Sequence, residues 1–260
     1  MGIINITPDS FSDGGVFLES HKAIDHALAL IDAGADILDL GAESTRPGSI
    51  SVPAELQVER LLPVLREIRR QSMIPVSVDT ASAVVMRQVL AEGADMINDV
   101  TALADVGSAA VIAEAGAACC LMHMQGAPRT MQNNPVYTDV VAEVDEFLHK
   151  KMNWAMRQGI TPENICLDPG FGFGKNLEHN MKLLRSIRLW SEHKPVLVGV
   201  SRKSMWNHLL GGRSVEDRLS ASLAAAYWAA EQGVAMIRVH DVRETCDVLR
   251  VWQELRKELE

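Results

Sequence analysis

Glu92-Gly93-Ala94-Asp95-Met96-Ile97-Asn98-Asp99 is the stretch that decides the fold. A helix-patterned segment closes on glycine, which accepts the left-handed turn at a helix end without steric cost. A short apolar run follows and stops on an amide and a carboxylate. The same order recurs at Asp32-Ala33-Gly34-Ala35-Asp36 before Ile37-Leu38-Asp39-Leu40, and at Ala115-Gly116-Ala117 before Cys119-Cys120-Leu121-Met122-His123. It returns at Gln232-Gly233-Val234 before Met236-Ile237-Arg238-Val239-His240. The unit is a helix, a glycine joint, a buried strand and a polar tip.

Carried along the chain, this reading places strands at 3–5, 37–40, 76–79, 96–99, 119–122, 165–168, 196–200 and 236–239. Helices are expected at 21–33, 53–71, 82–92, 106–115, 138–158, 177–190, 215–232 and 242–257, several with start signals. Pro53 stands at a first turn, Ser82 before an apolar run, and Thr138-Asp139 ahead of Val140. The apolar runs are short and nearly continuous, as in parallel strands covered on both faces. Eight such units in 260 residues, with no linker and no composition break, predict an α/β fold. The expected architecture is a single (β/α)8 barrel, one domain over 1–260, rather than a doubly wound sheet. Its active site would lie at the C-terminal ends of the strands.

A net charge of −9 argues against a general nucleic-acid binder, which presents a basic face. With 47% apolar and 23% charged residues the chain can bury a large core. No apolar run reaches the ~20 residues that span a bilayer, and no basic leader opens the sequence. Cys119, Cys120, Cys166 and Cys246 form neither a zinc spacing nor a disulfide frame, so buried reduced thiols in a cytoplasmic protein are expected.

The strand ends carry Asn5, the 43–47 loop, Asp79, Asn98, His123, Asp168, Ser201-Arg202-Lys203, and Arg238 with His240. Singly, each has a plain structural use. Asp79 and Asp99 could cap helices, Asn98 could serve a turn, and His123 between two methionines suits packing or support better than ligation. Together at one rim they describe a site. Asp79, Asn98 and Asp168 suit a flat heterocycle rich in N–H donors, because a carboxylate accepts two parallel hydrogen bonds from a guanidine-like edge. Lys203 could donate to the opposite edge. Arg46, Arg238 and His240, with Asn5, Ser44 and Thr45, suit phosphate oxygens, and strands seven and eight are where such barrels commonly hold phosphate.

The run Gly170-Phe171-Gly172-Phe173-Gly174-Lys175-Asn176 is not a P-loop: it is one residue short between glycines and ends in Asn rather than Ser or Thr. It reads as a tight loop after a strand, with Phe173 either facing the cleft or packed in the core. Residues 2–15 divide into a strand ending at Asn5 and a loop, 7–15, with the glycines of a mobile lid. Such a lid would be poorly ordered without ligand and ordered with both substrates.

Read in order, the motifs M-G-I-I-N-I-T-P-D-S-F-S-D-G-G (1–15), G-A-E-S-T-R-P-G (41–48), V-D-T (78–80), I-N-D-V (97–100), L-M-H-M-Q-G (121–126), L-D-P-G-F-G-F-G-K-N (167–176), G-V-S-R-K-S (199–204) and I-R-V-H-D-V (237–242) resemble the dihydropteroate synthase family. The match covers residues 1 to about 242. The resemblance implies a TIM barrel, a homodimer, and a folate-biosynthesis transferase inhibited by sulfonamides. Such an enzyme joins 6-hydroxymethyl-7,8-dihydropterin diphosphate to 4-aminobenzoate, giving 7,8-dihydropteroate and diphosphate.

Carried onto this chain, it implies a pterin pocket of Asp79, Asn98, Asp168 and Lys203, with Arg238 against the ring. Diphosphate would meet Asn5, Thr45, Arg46, Arg238 and His240, with Asn5 also a ligand of Mg2+. The aminobenzoate would lie near Phe11, Thr45, Pro47, Phe173 and Ser204. The implied chemistry is SN1-like loss of diphosphate, with Asp79, Lys203 and Arg238 as the catalytic set and no side-chain nucleophile. Met1 stands where the family's first strand is already running, so a short first strand is expected. The 44–55 loop shows no insertion that would signal sulfonamide resistance. A methyltetrahydrofolate-binding methyltransferase barrel would lack the S-T-R-P-G loop and the Arg238/His240 rim. A non-catalytic pterin-binding paralogue would be marked by loss of Arg46, Lys203 or His240, and all three are present.

Overall fold

A computed structural model describes residues 1–6, 15–44, 49, 51–127 and 129–257, with 15–19 described by backbone alone. Among them, strands and helices follow as β1 (Gly2–Asn5), α1 (Gly15–Asp32), β2 (Leu38–Gly41), α2 (Ala54–Gln71), β3 (Val76–Asp79), α3 (Ala83–Ala91), β4 (Met96–Asp99), α4 (Ser108–Ala115) and β5 (Ala118–Met122). The second half continues as α5 (Val140–Arg157), β6 (Ile165–Asp168), α6 (Leu177–Arg185), α7 (Arg188–Ser191), β7 (Leu197–Val198), α8 (Ser204–Leu209), α9 (Leu219–Glu231), β8 (Met236–Ile237) and α10 (Val242–Arg256).

β1 to β6 pair in sequence order as one parallel sheet, and β7 pairs with β8. Two bridges join these sheets at both ends: Leu167 with Val196, and Gly2 with Val239. The Leu167 N–H donates to Pro195 C=O at 3.0 Å, Ile3 N–H to Val239 C=O at 3.0 Å, and Val239 N–H to Met1 C=O at 3.0 Å. The ring therefore closes as the expected (β/α)8 barrel, by single bridges on either side of β7–β8.

The local signals hold in several places. Asp139 caps α5, its Oδ1 accepting the N–H groups of Val141 and Ala142 at 3.0 and 3.2 Å. A further cap, with no start signal read for it in the sequence, is Asn176 on α6, where His179 bonds back to its N–H. Others differ. α1 begins at Gly15 rather than 21, since nothing between Gly15 and Asp32 breaks a helix. Pro53 sits at the N-cap of α2 rather than inside its first turn. The helix expected at 177–190 divides, because the Ser186 N–H is shared between the carbonyls of Lys182 and Leu183, tightening the turn. α8 corresponds to no expectation, and β7 and β8 are shorter than the apolar runs that predicted them.

The main hydrophobic core lies between strands and helices, around Leu38, Leu40, Leu61, Leu65, Val76, Val78, Ile97, Leu121 and Trp190. A smaller cluster of Met96, Cys120, Cys166 and Leu197 is separate from it. Cys119, Cys120 and Cys166 are buried free thiols as expected, whereas Cys246 is half-buried. No helix of the described residues is long and apolar enough to cross a membrane.

Candidate active site

Register sets the first layer of the site. Gly41 aligns with Asp79, Asp79 with Asn98, and Met122 with Asp168, so the strands deliver their polar tips side by side. Asp79, Asn98 and Asp168 are all buried. Arg238 enters from just past the end of β8, its backbone N–H held by Val198 C=O at 2.9 Å. Its Nε–H donates to Asp39 Oδ2 at 2.6 Å and its Nη2 to Asp79 Oδ2 at 3.1 Å. Asn98 Nδ2 stands 3.4 Å from Asp39 Oδ2. Asp79 and Asn98 thus serve the cluster rather than a cap or a turn. Asp99 takes the structural use: it accepts the Thr101 N–H and hydroxyl at 2.7 Å and the Leu103 N–H at 2.8 Å.

Asp39 is not among the strand-end residues that the sequence points to. It lies two residues before the end of β2 and is fully buried. The available signal was the carboxylate itself: a charge inside a continuous apolar strand is tolerated when paired.

The electrostatics follow from burial. Desolvation pushes the Asp79 carboxyl up to about 7; Arg238 opposes this, while Asp39, Asp99 and Glu43 add to it. Desolvation also raises Asp168, against the Gly170 N–H it accepts at 2.7 Å and the nearby charge of Lys203. Lys203 is drawn down to about 8 by desolvation, with Asp168 pulling the other way. For Arg238 burial works downward, but Asp39 and Asp79 outweigh it and the guanidinium stays charged.

The glycine run forms a support beneath these groups. A Cβ at Gly170 would stand 1.9 Å from the His123 carbonyl oxygen, and one at Gly174 2.4 Å from Gln125 O, with φ of +72° and +63°. Only glycine fits either position. Lys175 turns inward and is buried, donating to Gly170 O at 2.9 Å, Phe173 O at 3.0 Å and His123 Nδ1 at 2.9 Å. Burial and that ammonium hold His123 down to about 3, so its imidazole is neutral. His123 also packs edge-on to Phe147, so it is a supporting group as its sequence context suggested. Phe173 satisfies both readings: it packs with Val100, Met122 and Met131, and Lys203 Nζ lies 4.3 Å from its ring centroid.

On the β7–β8 side, Ser201 Oγ accepts the His240 N–H at 3.2 Å and lies 3.1 Å from its Nδ1. Arg202, at φ +55°, makes a bidentate pair with Asp241. Lys203 precedes α8, and exposed Ser204 is its first residue. Asn5 ends β1 at an exposed position, with Gly41 providing no side chain between it and Asp79. No cluster of three or more His, Cys, Asp or Glu suited to a metal occurs among the described residues. Phe11, Thr45, Arg46, Pro47 and the loop part of the lid, 7–14, lie outside the described residues. The base of the 44–55 loop is held from below, where Gln57 Nε2 donates to Glu43 Oε2 at 3.1 Å and to Val52 O at 2.8 Å.

A model of the family described as pterin binding enzyme matches residues 1–240. The dihydropteroate synthase of Escherichia coli strain K12 is 48% identical over 253 residues, covering 96% of this chain and 89% of its own. The chain belongs to the dihydropteroate synthase family. Its solved relatives are transferases of the same fold. The Xanthomonas albilineans enzyme with 4-aminobenzoic acid gives a TM-score of 0.93 at 44% identity, covering 99% of this chain and 92% of its own. The Yersinia pestis enzyme in a sulfonamide drug complex gives 0.92 at 41% identity, covering 98% and 93%.

Proposed function

We propose that the chain joins 6-hydroxymethyl-7,8-dihydropterin diphosphate to 4-aminobenzoate, forming 7,8-dihydropteroate and diphosphate in folate biosynthesis. The observation that carries this reading is the Asp39–Arg238–Asp79 ion cluster, its carboxylates buried and its guanidinium partly exposed, flanked by Asn98, Asp168 and Lys203 at one barrel rim. Such a set recognises a polar, planar ring while presenting positive charge to an anionic leaving group. Asp168 and Asn98 take the donor edge of the pterin, and Lys203 donates to its acceptor edge. The bond between the pterin methylene and diphosphate breaks first, leaving a cation conjugated with the ring. Asp79, ionised and buried, stabilises that charge, while Arg238 and His240 neutralise the departing oxygens. The neutral arylamine then attacks the methylene and releases a proton, so no enzyme nucleophile is needed.

Asn5 is the residue that would hold Mg2+. A single neutral amide oxygen at an exposed strand end suits an ion that keeps waters and takes substrate phosphates as its other ligands. When bound, the ion supplies charge neutralisation at the diphosphate. Phe11, Thr45, Pro47, Phe173 and Ser204 would border the aminobenzoate, with Thr45 and Arg46 reaching the diphosphate. The X. albilineans complex with 4-aminobenzoic acid supports binding of that substrate, and the Y. pestis sulfonamide drug complex supports binding of sulfonamides. A cytoplasmic homodimer completes the reading. Exposed Tyr227 and Trp228 on α9, and Val251 and Leu255 on α10, offer apolar surface for it.

The test is diphosphate release from the pterin diphosphate by the purified chain, with and without 4-aminobenzoate. Release that depends on both substrates is expected. Tight pterin binding with no diphosphate released, at any 4-aminobenzoate concentration, would overturn the proposal.

A further inference from the structure

Arg238 meets two carboxylates through one edge of its guanidinium, and the two contacts are unequal. Nε–H to Asp39 Oδ2 is 2.6 Å, Nη2 to Asp79 Oδ2 is 3.1 Å, and Nη1 makes no hydrogen bond among the described residues. Asp39 is fully buried, one layer below the rim, and aligns with Ser77 on β3 rather than with a rim residue. Asp79 is at the strand end, where a ligand can reach it. Among the described residues Asp39 Oδ2 carries both contacts of that carboxylate, while Oδ1 finds no donor. Arg238 is therefore its charge compensation.

We infer that Asp39 is a positioning residue, the permanent counter-ion that holds Arg238 at the rim while Asp79 exchanges between Arg238 and the pterin. The inference rests on the proposed function. A ring donor that engages Asp79 must displace or share the longer of Arg238's two bonds. With Asp39 in place, the guanidinium keeps its plane and its outward Nη1 when that happens. Without the Asp39 charge, Asp79 becomes Arg238's sole carboxylate partner, and the substrate has to compete with the arginine for it. A merely structural ion pair would lower stability and leave this competition unchanged.

Asp39→Asn keeps the shape and removes the charge, and it leaves no unpaired ion because Arg238 retains Asp79. In the full chain, the KM for pterin diphosphate is expected to rise by about tenfold or more. The KM for 4-aminobenzoate should stay within about twofold. In an Arg238→Gln background, Asp39→Asn should bring no further kinetic loss and should raise the unfolding temperature, since it removes a carboxylate left without its cation. A folded Asp39→Asn protein with an unchanged pterin KM, or losses that add in the double variant, would overturn the inference.

Should Asp39→Asn not fold, the wild-type protein decides. The Arg238 Nε–H proton, assigned by its loss in Arg238→Gln, should exchange slowly with solvent both alone and with pterin diphosphate bound. Fast exchange, or protection lost on adding substrate, rejects the anchor. A protected Nε–H in a wild-type protein that releases no diphosphate would keep the anchor and reject the synthase reading.

Discussion

From β1 to β6 the strands pair over three or four residues at each junction, whereas β7 and β8 pair over two and join the rest by single bridges. The anionic and amide groups of the site, Asp39, Asp79, Asn98 and Asp168, all stand on the long ladder. The basic groups Lys203, Arg238 and His240 all stand at the short pair or just beyond it. The first set is placed by backbone register, which a single side-chain change does not move. The second set is placed by side chains: Asp39 and Asp79 on Arg238, Ser201 on His240, and Asp241 on Arg202 next to Lys203. Arg202 is also held by its backbone, its N–H donating to Ser222 Oγ at 2.9 Å and its carbonyl accepting from Arg218 at 3.1 Å. The cationic half should therefore be the more sensitive to point substitution.

The largest effect is expected at Arg238, where the two halves meet. Arg238→Ala leaves Asp39 and Asp79 buried without their cation, and denaturant unfolding should register a loss of about 3–5 kcal/mol. Calorimetry should show pterin diphosphate affinity down at least ~30-fold in the folded fraction. A variant as stable as wild type would mean that the aspartates find another partner, and the contrast between the halves would fail.

Asp79→Ala isolates chemistry from folding, because Arg238 keeps Asp39. Steady-state assays should find kcat reduced about 10³-fold or more, with a smaller stability loss than Arg238→Ala causes. Near-wild-type turnover in the purified variant would sink its assigned role.

Arg202→Ala asks whether a side chain outside the pocket places Lys203. The partly exposed pair itself should cost about 1 kcal/mol in unfolding. kcat/KM should nevertheless fall about tenfold through misplacement of the neighbouring lysine. Arg202→Gly, which relieves the strain at φ +55° without restoring the clamp, should lose as much activity as Arg202→Ala. Recovery in the glycine variant would shift the explanation from clamp to backbone.

The smallest contrast is in pH. Asp79 acts ionised and its free-protein value lies at about 7, so kcat/KM for pterin diphosphate should rise as pH increases through that value. Lys203 acts charged and lies at about 8, so the same quantity should fall above it. A narrow bell is expected, its acid limb set by the ladder half and its alkaline limb by the β7–β8 half. Lys203→Arg should remove the alkaline limb alone.

The sequence alone determined the repeat, the approximate position of all eight strands, and the identity of most rim residues. Glycine joints and apolar runs are local signals, and a residue at a strand's carboxyl end reaches the rim whatever its neighbours are. It could equally mark Asp139 as a helix start, because capping is settled within one turn. The tertiary structure decided what depends on more than one strand. Ile37-Leu38-Asp39-Leu40 shows no alternation, since both faces are buried, so the face taken by Asp39 emerged only with the register to β3 and the reach of Arg238. Lys175 reads from the sequence only as the end of a tight glycine loop, and its use as an internal tie emerged with the fold, because the carbonyls it bonds come from two different strand–loop junctions. Closure itself rests on bridges between residues 237 apart in sequence, Gly2 and Val239, and no local pattern encodes a contact of that kind.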